Sequence, residues 1–139
     1  MQDRLDAYVL EDQIGFRLRL ANQRHLEVFA ATVSEVTTTQ FATLVKLNEA
    51  GVLSQNHLGR LVAMDAATTK GVIDRLRKKG LVETTPSTSD LRRLDVALSA
   101  AGAAFVAALI PVARRVSAQT TRNLTAREEA QLLALLQKL

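Results

Sequence analysis

At Gly80 the hydrophobic period of this chain changes, and that change sets the folds open to it. Before the glycine, Thr69, Val72, Ile73 and Leu76 stand at i, i+3, i+4 and i+7, the spacing of a single buried helix face. After it, Leu81-Val82-Glu83-Thr84-Thr85 reads as a short strand and Pro86 to Ser89 as a turn. Leu94-Asp95-Val96-Ala97-Leu98 alternates apolar and polar and reads as the returning strand. A helix stopped by glycine and followed at once by a hairpin leaves few architectures for the rest.

The flanking segments are helical. Residues 8–32 carry no proline and read as one long helix, with Ile14, Leu18, Ala21 and Val28-Phe29 on roughly one face and Phe16, Leu20 and Leu26 elsewhere. Apolar residues on more than one face suggest burial on two sides, the second being a subunit interface in so small a chain. Thr37 followed by Gln40 matches a capping box that opens a helix through Phe41, Leu44, Val45 and Leu47, and Gly51 closes it. Ser54 is placed to cap a short helix bearing Leu58, Leu61 and Val62, and Asp65 to cap the helix that ends at Gly80. Ser99 to Ala118 reads as a long Ala-rich helix that Pro111 kinks, and Thr125 with Glu128 opens a last helix through Leu132, Leu133, Leu135 and Leu136.

The expected fold is therefore mainly α with a small β-hairpin. Two short helices joined tightly, the second basic, with a hairpin behind them, form a winged helix-turn-helix. The chain divides on this reading into an N-terminal dimerisation helix over 1–35, the winged lobe over 36–99 and C-terminal dimerisation helices over 100–139. Leu109, Ile110, Val112, Val116, Leu132 and Leu136 are candidate contacts between copies, or else intrachain core.

Charge agrees with a polyanion as partner. The net charge is +4 over 139 residues, and Lys70, Arg75, Arg77, Lys78, Lys79, Arg92 and Arg93 gather within 24 positions against Asp74, Glu83 and Asp90. A solvated helix face carries charge in the same way. Cysteine is absent and histidine occurs twice, which excludes disulfides, thiolate metal sites and His-rich metal clusters. No phosphate loop, dinucleotide fingerprint or metalloprotease motif is present, and Glu11-Asp12 and Glu128-Glu129 point apart on a helix, so neither catalysis nor a cofactor is expected. No apolar run approaches the roughly 20 residues of a membrane span, and Met1 to Asp6 are polar, which predicts no membrane partner and a cytoplasmic location.

On these residues the chain resembles the multiple-antibiotic-resistance regulator (MarR) family. Leu53-Ser54-Gln55-Asn56-His57-Leu58-Gly59-Arg60-Leu61 is similar to its first motif helix, and Asp65 through Leu81 to its recognition helix. Asp74-Arg75-Leu76-Arg77-Lys78-Lys79-Gly80-Leu81-Val82 is close to the family pattern. Asp90-Leu91-Arg92 with Val96, Leu98 and Ser99 resembles its wing, and Ala101-Gly102 the start of the helix behind it. The agreement spans about residues 14–139. The wing departs from the family's Asp-Arg-Arg, with Leu91 at the first arginine; Asp90 is still placed to brace Arg92. Residues 14–29 and 54–80 look most similar to the branch that governs degradation of nicotinate and related aromatic acids.

The resemblance implies an obligate homodimer that binds an inverted-repeat operator in double-stranded DNA, with recognition helices about 34 Å apart. With the apolar stripe turned inward, the recognition helix presents Ala66, Ala67, Lys70, Gly71, Asp74 and Arg77, with Thr68 at the edge. Ala66 to Lys70 are the expected base neighbours: alanines on thymine methyls, Thr68 and Lys70 as donors. Gly71 lets the helix approach closely. Ser54, Gln55 and Asn56 clamp a phosphate or simply cap their helix. Arg92 and Arg93 reach a flanking minor groove or the backbone, unless the turn is merely solvated.

The resemblance also implies a small aromatic acid as effector, bound near the dimer helices and biasing DNA affinity. Arg17, Ala21, Arg24 and His25 lie near one face, where an arginine or histidine can pair with a carboxylate; surface or interchain ion pairing is the alternative. The functional expectation is a dimeric repressor released by such a ligand. A ligand-independent repressor and a winged helix used for protein contacts are the other readings.

Overall fold

The computed structural model describes residues 7–139; Met1 to Asp6, with the expectation drawn from their polarity, lie outside the described residues. Two compact units are present, one of residues up to Thr32 with Arg115–Leu139, the other Val33–Arg114.

The second unit is the winged lobe. Helix α2 (Thr38–Ala50) opens on the expected capping box: Gln40 N–H donates to Thr37 Oγ1 at 3.2 Å and Thr37 N–H donates to Gln40 Oε1 at 3.1 Å. Gly51 ends it at φ 79°, a backbone angle that disfavours any residue with a Cβ. Strand β1 (Leu53–Ser54) leads into helix α3 (Gln55–Leu61), then a tight turn, then helix α4 (Ala66–Lys78). Ala63 turns the chain at φ 56°, a strained conformation for a non-glycine residue. Gly59 lets α3 and α4 cross closely, because a Cβ there would lie 2.6 Å from Thr69 Oγ1 and 3.3 Å from the Met64 carbonyl oxygen.

Strands β2 (Val82–Pro86) and β3 (Leu94–Leu98) form the hairpin, Val82 opposite Leu98 and Pro86 opposite Leu94. The first begins one residue later than expected and takes in Pro86, whose missing N–H is tolerable at an edge strand's end. The sheet has a third strand that periodicity could not show: β1 pairs antiparallel with β3, Leu53 opposite Val96 and Ser54 opposite Asp95, giving the order β1-β3-β2. Two residues are too few to display a period. Leu44, Leu47, Leu58, Ile73, Leu76 and Val96 are fully buried at the centre of this lobe.

Helix α5 (Ala100–Thr120) runs unbroken through Pro111. Its first turn is locked to the lobe: Ser99 N–H donates to the Leu81 carbonyl at 3.1 Å, Ser99 Oγ donates to the Gly80 carbonyl at 2.6 Å, and Gly102 N–H donates to Ser99 Oγ at 2.9 Å. The expectation that no segment is long and apolar enough to span a bilayer is corrected here. The α5 segment reaches a mean hydropathy of 1.4 over an 18-residue window. Alanine supplies length without bulk, so it escapes a search for runs of large apolar residues.

In the first unit the expected helix over 8–32 is broken. A short 3₁₀ turn (Leu10–Asp12) precedes helix α1 (Ile14–Thr32), and Gln13 between them is extended, at φ −92° and ψ 136°. Side-chain bonds fix the break: Arg17 Nε donates to the Glu11 carbonyl at 2.6 Å and Gln13 Nε2 to the Val9 carbonyl at 2.9 Å. Helix α6 (Ala126–Leu136) opens on the expected capping box of Thr125 and Glu128. Leu109 and Val116 are buried within the single chain, whereas Leu132 and Leu136 remain exposed.

Candidate nucleic-acid interface

The outward face of α4 follows from its inward one. Thr69, Val72, Ile73 and Leu76 are buried, which turns Ala66, Ala67, Thr68, Lys70 and Arg77 to solvent, with Gly71 and Asp74 half-buried between them. Asp65 fixes where the helix begins: its carboxylate accepts from Thr68 N–H at 2.7 Å. That backbone bond, supported by the Thr68 side chain, holds the Asp65 carboxyl below its ordinary range. Arg77 is partly engaged, with Asp74 Oδ1 at 3.6 Å and Thr84 Oγ1 at 3.5 Å, so it ties the helix to the wing.

The wing tip is ordered by its own backbone. Ser87 N–H donates to the Arg93 carbonyl at 2.8 Å, and Arg93 N–H to the Asp90 carbonyl at 2.9 Å. Asp90 braces Arg92 as the sequence suggests: Oδ1 accepts from Arg92 N–H at 3.0 Å and lies 3.7 Å from Nε. The Arg92 side chain is nonetheless 96% exposed, so its charge is oriented but not neutralised by burial. Leu91 beside it is also exposed.

Tertiary structure then unites what the sequence left apart. Because Ser54 pairs with Asp95, the start of α3 and the base of the wing meet, and Ser54, Gln55, Asn56, Arg92, Arg93 and Leu94 line one open groove. Ser54 is buried and its Oγ accepts from His57 N–H at 3.2 Å, so it shapes the helix start; Asn56 is exposed and Gln55 half-buried. A second groove between α3 and α4 is lined by Gln55, Asn56, Gly59, Arg60, Met64, Ala66 and Thr69. Arg60 and Met64 were not singled out in the sequence. The spacing of Arg60 from Asn56, four residues on one helix, is the signal that marks it.

The four residues proposed to hold an effector lie in the first unit and do not form one cluster. Arg17 reaches back to the Glu11 carbonyl. Arg24 donates to the carbonyls of Gln119 at 2.9 Å and Thr120 at 3.2 Å, so its cation caps the C-terminal end of α5, where the helix dipole favours positive charge. His25 Nδ1 lies 2.9 Å from Thr120 Oγ1, and the same hydroxyl lies 2.9 Å from the Val116 carbonyl oxygen. Ala21 is exposed. The structure thus brings Arg24 and His25 together and leaves Arg17 apart.

Residues 36–94 match the model of the MarR family. Among known proteins, the HTH-type transcriptional repressor NicR of Pseudomonas putida is 38% identical over 134 residues, 95% of this chain and 85% of NicR. A probable transcriptional regulator from Pseudomonas aeruginosa superposes with a TM-score of 0.90 at 47% identity, covering 94% of this chain and 98% of that one. BpsR of Bordetella bronchiseptica, whose DNA binding is regulated by 6-hydroxynicotinic acid, superposes with a TM-score of 0.91 at 33% identity, covering 95% and 96%.

Proposed function

This chain belongs to the MarR family, and we propose that it is a cytoplasmic, homodimeric repressor that binds an inverted repeat in double-stranded DNA and is released by a small aromatic acid. The observation that carries the reading is the groove where the start of α3 meets Arg92 and Arg93, beside the solvent-facing side of α4. Phosphates running past that groove meet the Gln55 and Asn56 amides and two guanidinium groups at a helix start that Ser54 sets. Ala66, Ala67, Thr68 and Lys70 enter the major groove at the capped end of α4, Gly71 leaves room for close approach, and Arg77 stands on the backbone flank. Arg92, at the wing tip, meets the phosphates that border the adjacent minor groove.

Dimerisation rests on the terminal helices. Ile14 on α1 is 69% exposed and Leu135 on α6 is 61% exposed, with Leu18, Leu20, Leu26, Leu132, Leu133 and Leu136 also uncovered, more apolar surface than a solitary subunit keeps in water. The effector class comes from BpsR, together with Arg17, Ala21, Arg24 and His25 on α1. A ligand-independent repressor is the second reading, favoured by the intrachain partners already held by Arg24 and His25.

Fluorescence anisotropy with duplexes from the chain's own upstream region tests the function. Affinity should fall steeply with salt, as phosphate contacts release counterions, and 6-hydroxynicotinic acid should release the duplex. Salt-independent or absent duplex binding overturns the proposal. Release by salt with no response to the acid, and no rise in melting temperature on adding it, selects the ligand-independent reading.

A further inference from the structure

The turn that closes α3 has one uncommon component. Met64 N–H donates to the Gly59 carbonyl at 2.9 Å and Ala63 N–H to the Arg60 carbonyl at 3.3 Å, the paired bonds with which a left-handed residue ends a helix. That residue is ordinarily glycine. In this chain it is Ala63, at φ 56°, so the turn bears the steric cost of a Cβ in a left-handed conformation. In such turns the next residue commonly supplies an apolar side chain that packs back on the last turn of the helix. That position belongs to Met64.

Met64 is half-buried and lines the open groove between α3 and α4 with Gly59, Arg60, Ala66 and Thr69. Gly59 offers no side chain there and Ala66 only a methyl group, so a small molecule entering the groove meets the thioether. The chain has no cysteine and two methionines, of which Met1 is the other. Met64 therefore holds the only sulfur among the described residues, and it stands in the loop that sets α4 against α3.

We propose that Met64 is a site of reversible oxidation by peroxide, and that its sulfoxide loosens the turn between α3 and α4 and lowers duplex affinity. The Sδ lone pair attacks one peroxide oxygen, the O–O bond breaks, and water leaves; sulfur is oxidised by two electrons and the peroxide reduced by two. The product carries a polar oxygen where the turn needs an apolar contact. That oxygen draws the side chain toward water or the exposed Arg60, and Ala63 then has less to hold it at a left-handed angle. A shift in this turn carries the capped start of α4 with it. The inference rests on the DNA-binding reading above.

The test treats the full-length protein with hydrogen peroxide and follows mass and duplex affinity together, each protein being compared with its own untreated form. Trypsin cuts after Arg60 and Lys70, so the fragment of residues 61–70 should gain the mass of one oxygen atom, apart from any change at Met1. Affinity should fall roughly 5- to 30-fold, the lower part of the range for a polar group set in an apolar contact. Methionine sulfoxide reductases acting on the two sulfoxide epimers should restore it. Met64→Leu keeps an apolar anchor without sulfur and should lose no affinity on treatment. Met64→Gln sets a polar group there permanently and should bind more weakly than Met64→Leu without treatment, with circular dichroism confirming that both are folded. An unaltered 61–70 fragment, an oxidised protein that binds as before, an equal loss in treated Met64→Leu, or Met64→Gln binding as tightly as Met64→Leu overturns the proposal. If the untreated protein binds no duplex in a salt-dependent way, the DNA-binding reading fails and the inference with it.

Discussion

Replacing Gly102 by alanine puts a methyl group where the lobe has no room for one. The added Cβ would lie 1.9 Å from the Leu81 carbonyl oxygen and 2.9 Å from its carbon, both rigid backbone. Even a close C–H···O contact needs about 3.3 Å, so the start of α5 must retreat by about 1.4 Å. That retreat pulls on the Ser99 N–H bond to Leu81 and the Ser99 Oγ bond to Gly80. Overpacking costs about 1–3 kcal/mol and each weakened bond about 0.5–1.5 kcal/mol, while alanine's helix preference returns at most about 1 kcal/mol. The expected net loss is about 2–4 kcal/mol, or a melting temperature lower by roughly 4–16 °C for a chain of this length. Circular dichroism melts at one fixed protomer concentration measure it, because a dimer's melting point depends on concentration. Gly71→Ala is the internal control. Its Cβ meets only the movable end of Arg75, so it should gain up to about 1 kcal/mol. A Gly102→Ala protein as stable as the unsubstituted one would refute the steric reasoning, as would equal destabilisation by both substitutions.

Two further outcomes follow from the interface. Arg92→Ala should weaken duplex binding for every sequence tested and lower the salt slope by about one for each subunit, read by gel shift at several salt concentrations; an unchanged slope would remove the wing from the phosphate contacts. Asp65 links stability to pH in one direction. Its folded-state carboxyl is held below the ordinary value of 3.8, so the stability it contributes is present above that pH and is lost as the pH falls through the folded-state value. Asp65→Asn keeps an acceptor for Thr68 N–H without a charge, so the gap in melting temperature between the two proteins should be constant from pH 7 to 5 and change only in stronger acid. A gap that changes near neutrality would show that another group is responsible.

Much of the interface was legible because its determinants are local. A capping side chain and the N–H it serves are three residues apart, so Thr37 with Gln40, Asp65 with Thr68, and Thr125 with Glu128 could be read directly and recur in the fold. The buried stripe of α4 is likewise a property of spacing, and once Thr69, Val72, Ile73 and Leu76 are inward, the outward face is fixed. The wing brace is equally short in range, since Asp90 and Arg92 are two residues apart. Legibility stopped where a feature was too short to show a period or too interrupted to show a helix. The two residues of β1 and the extended Gln13 that splits the first helix are such places. It stopped also where a charged side chain had a choice of partners. Arg24 and His25 share a helix face with Arg17, yet they turn to the end of α5 while Arg17 turns to its own preceding carbonyl.

The linear chain by itself determined the order of the helices and hairpin from Thr38 onward, the capped helix starts, the inward stripe of α4 and the cationic stretch around Gly80, because each depends on residues within a turn or two of one another. Only the tertiary structure decided that Ser54 to Asn56 share a groove with Arg92 and Arg93, and that Gly59 and Gly102 are sites of contact. Both arise when strand pairing and helix crossing bring segments distant in the chain to atomic contact.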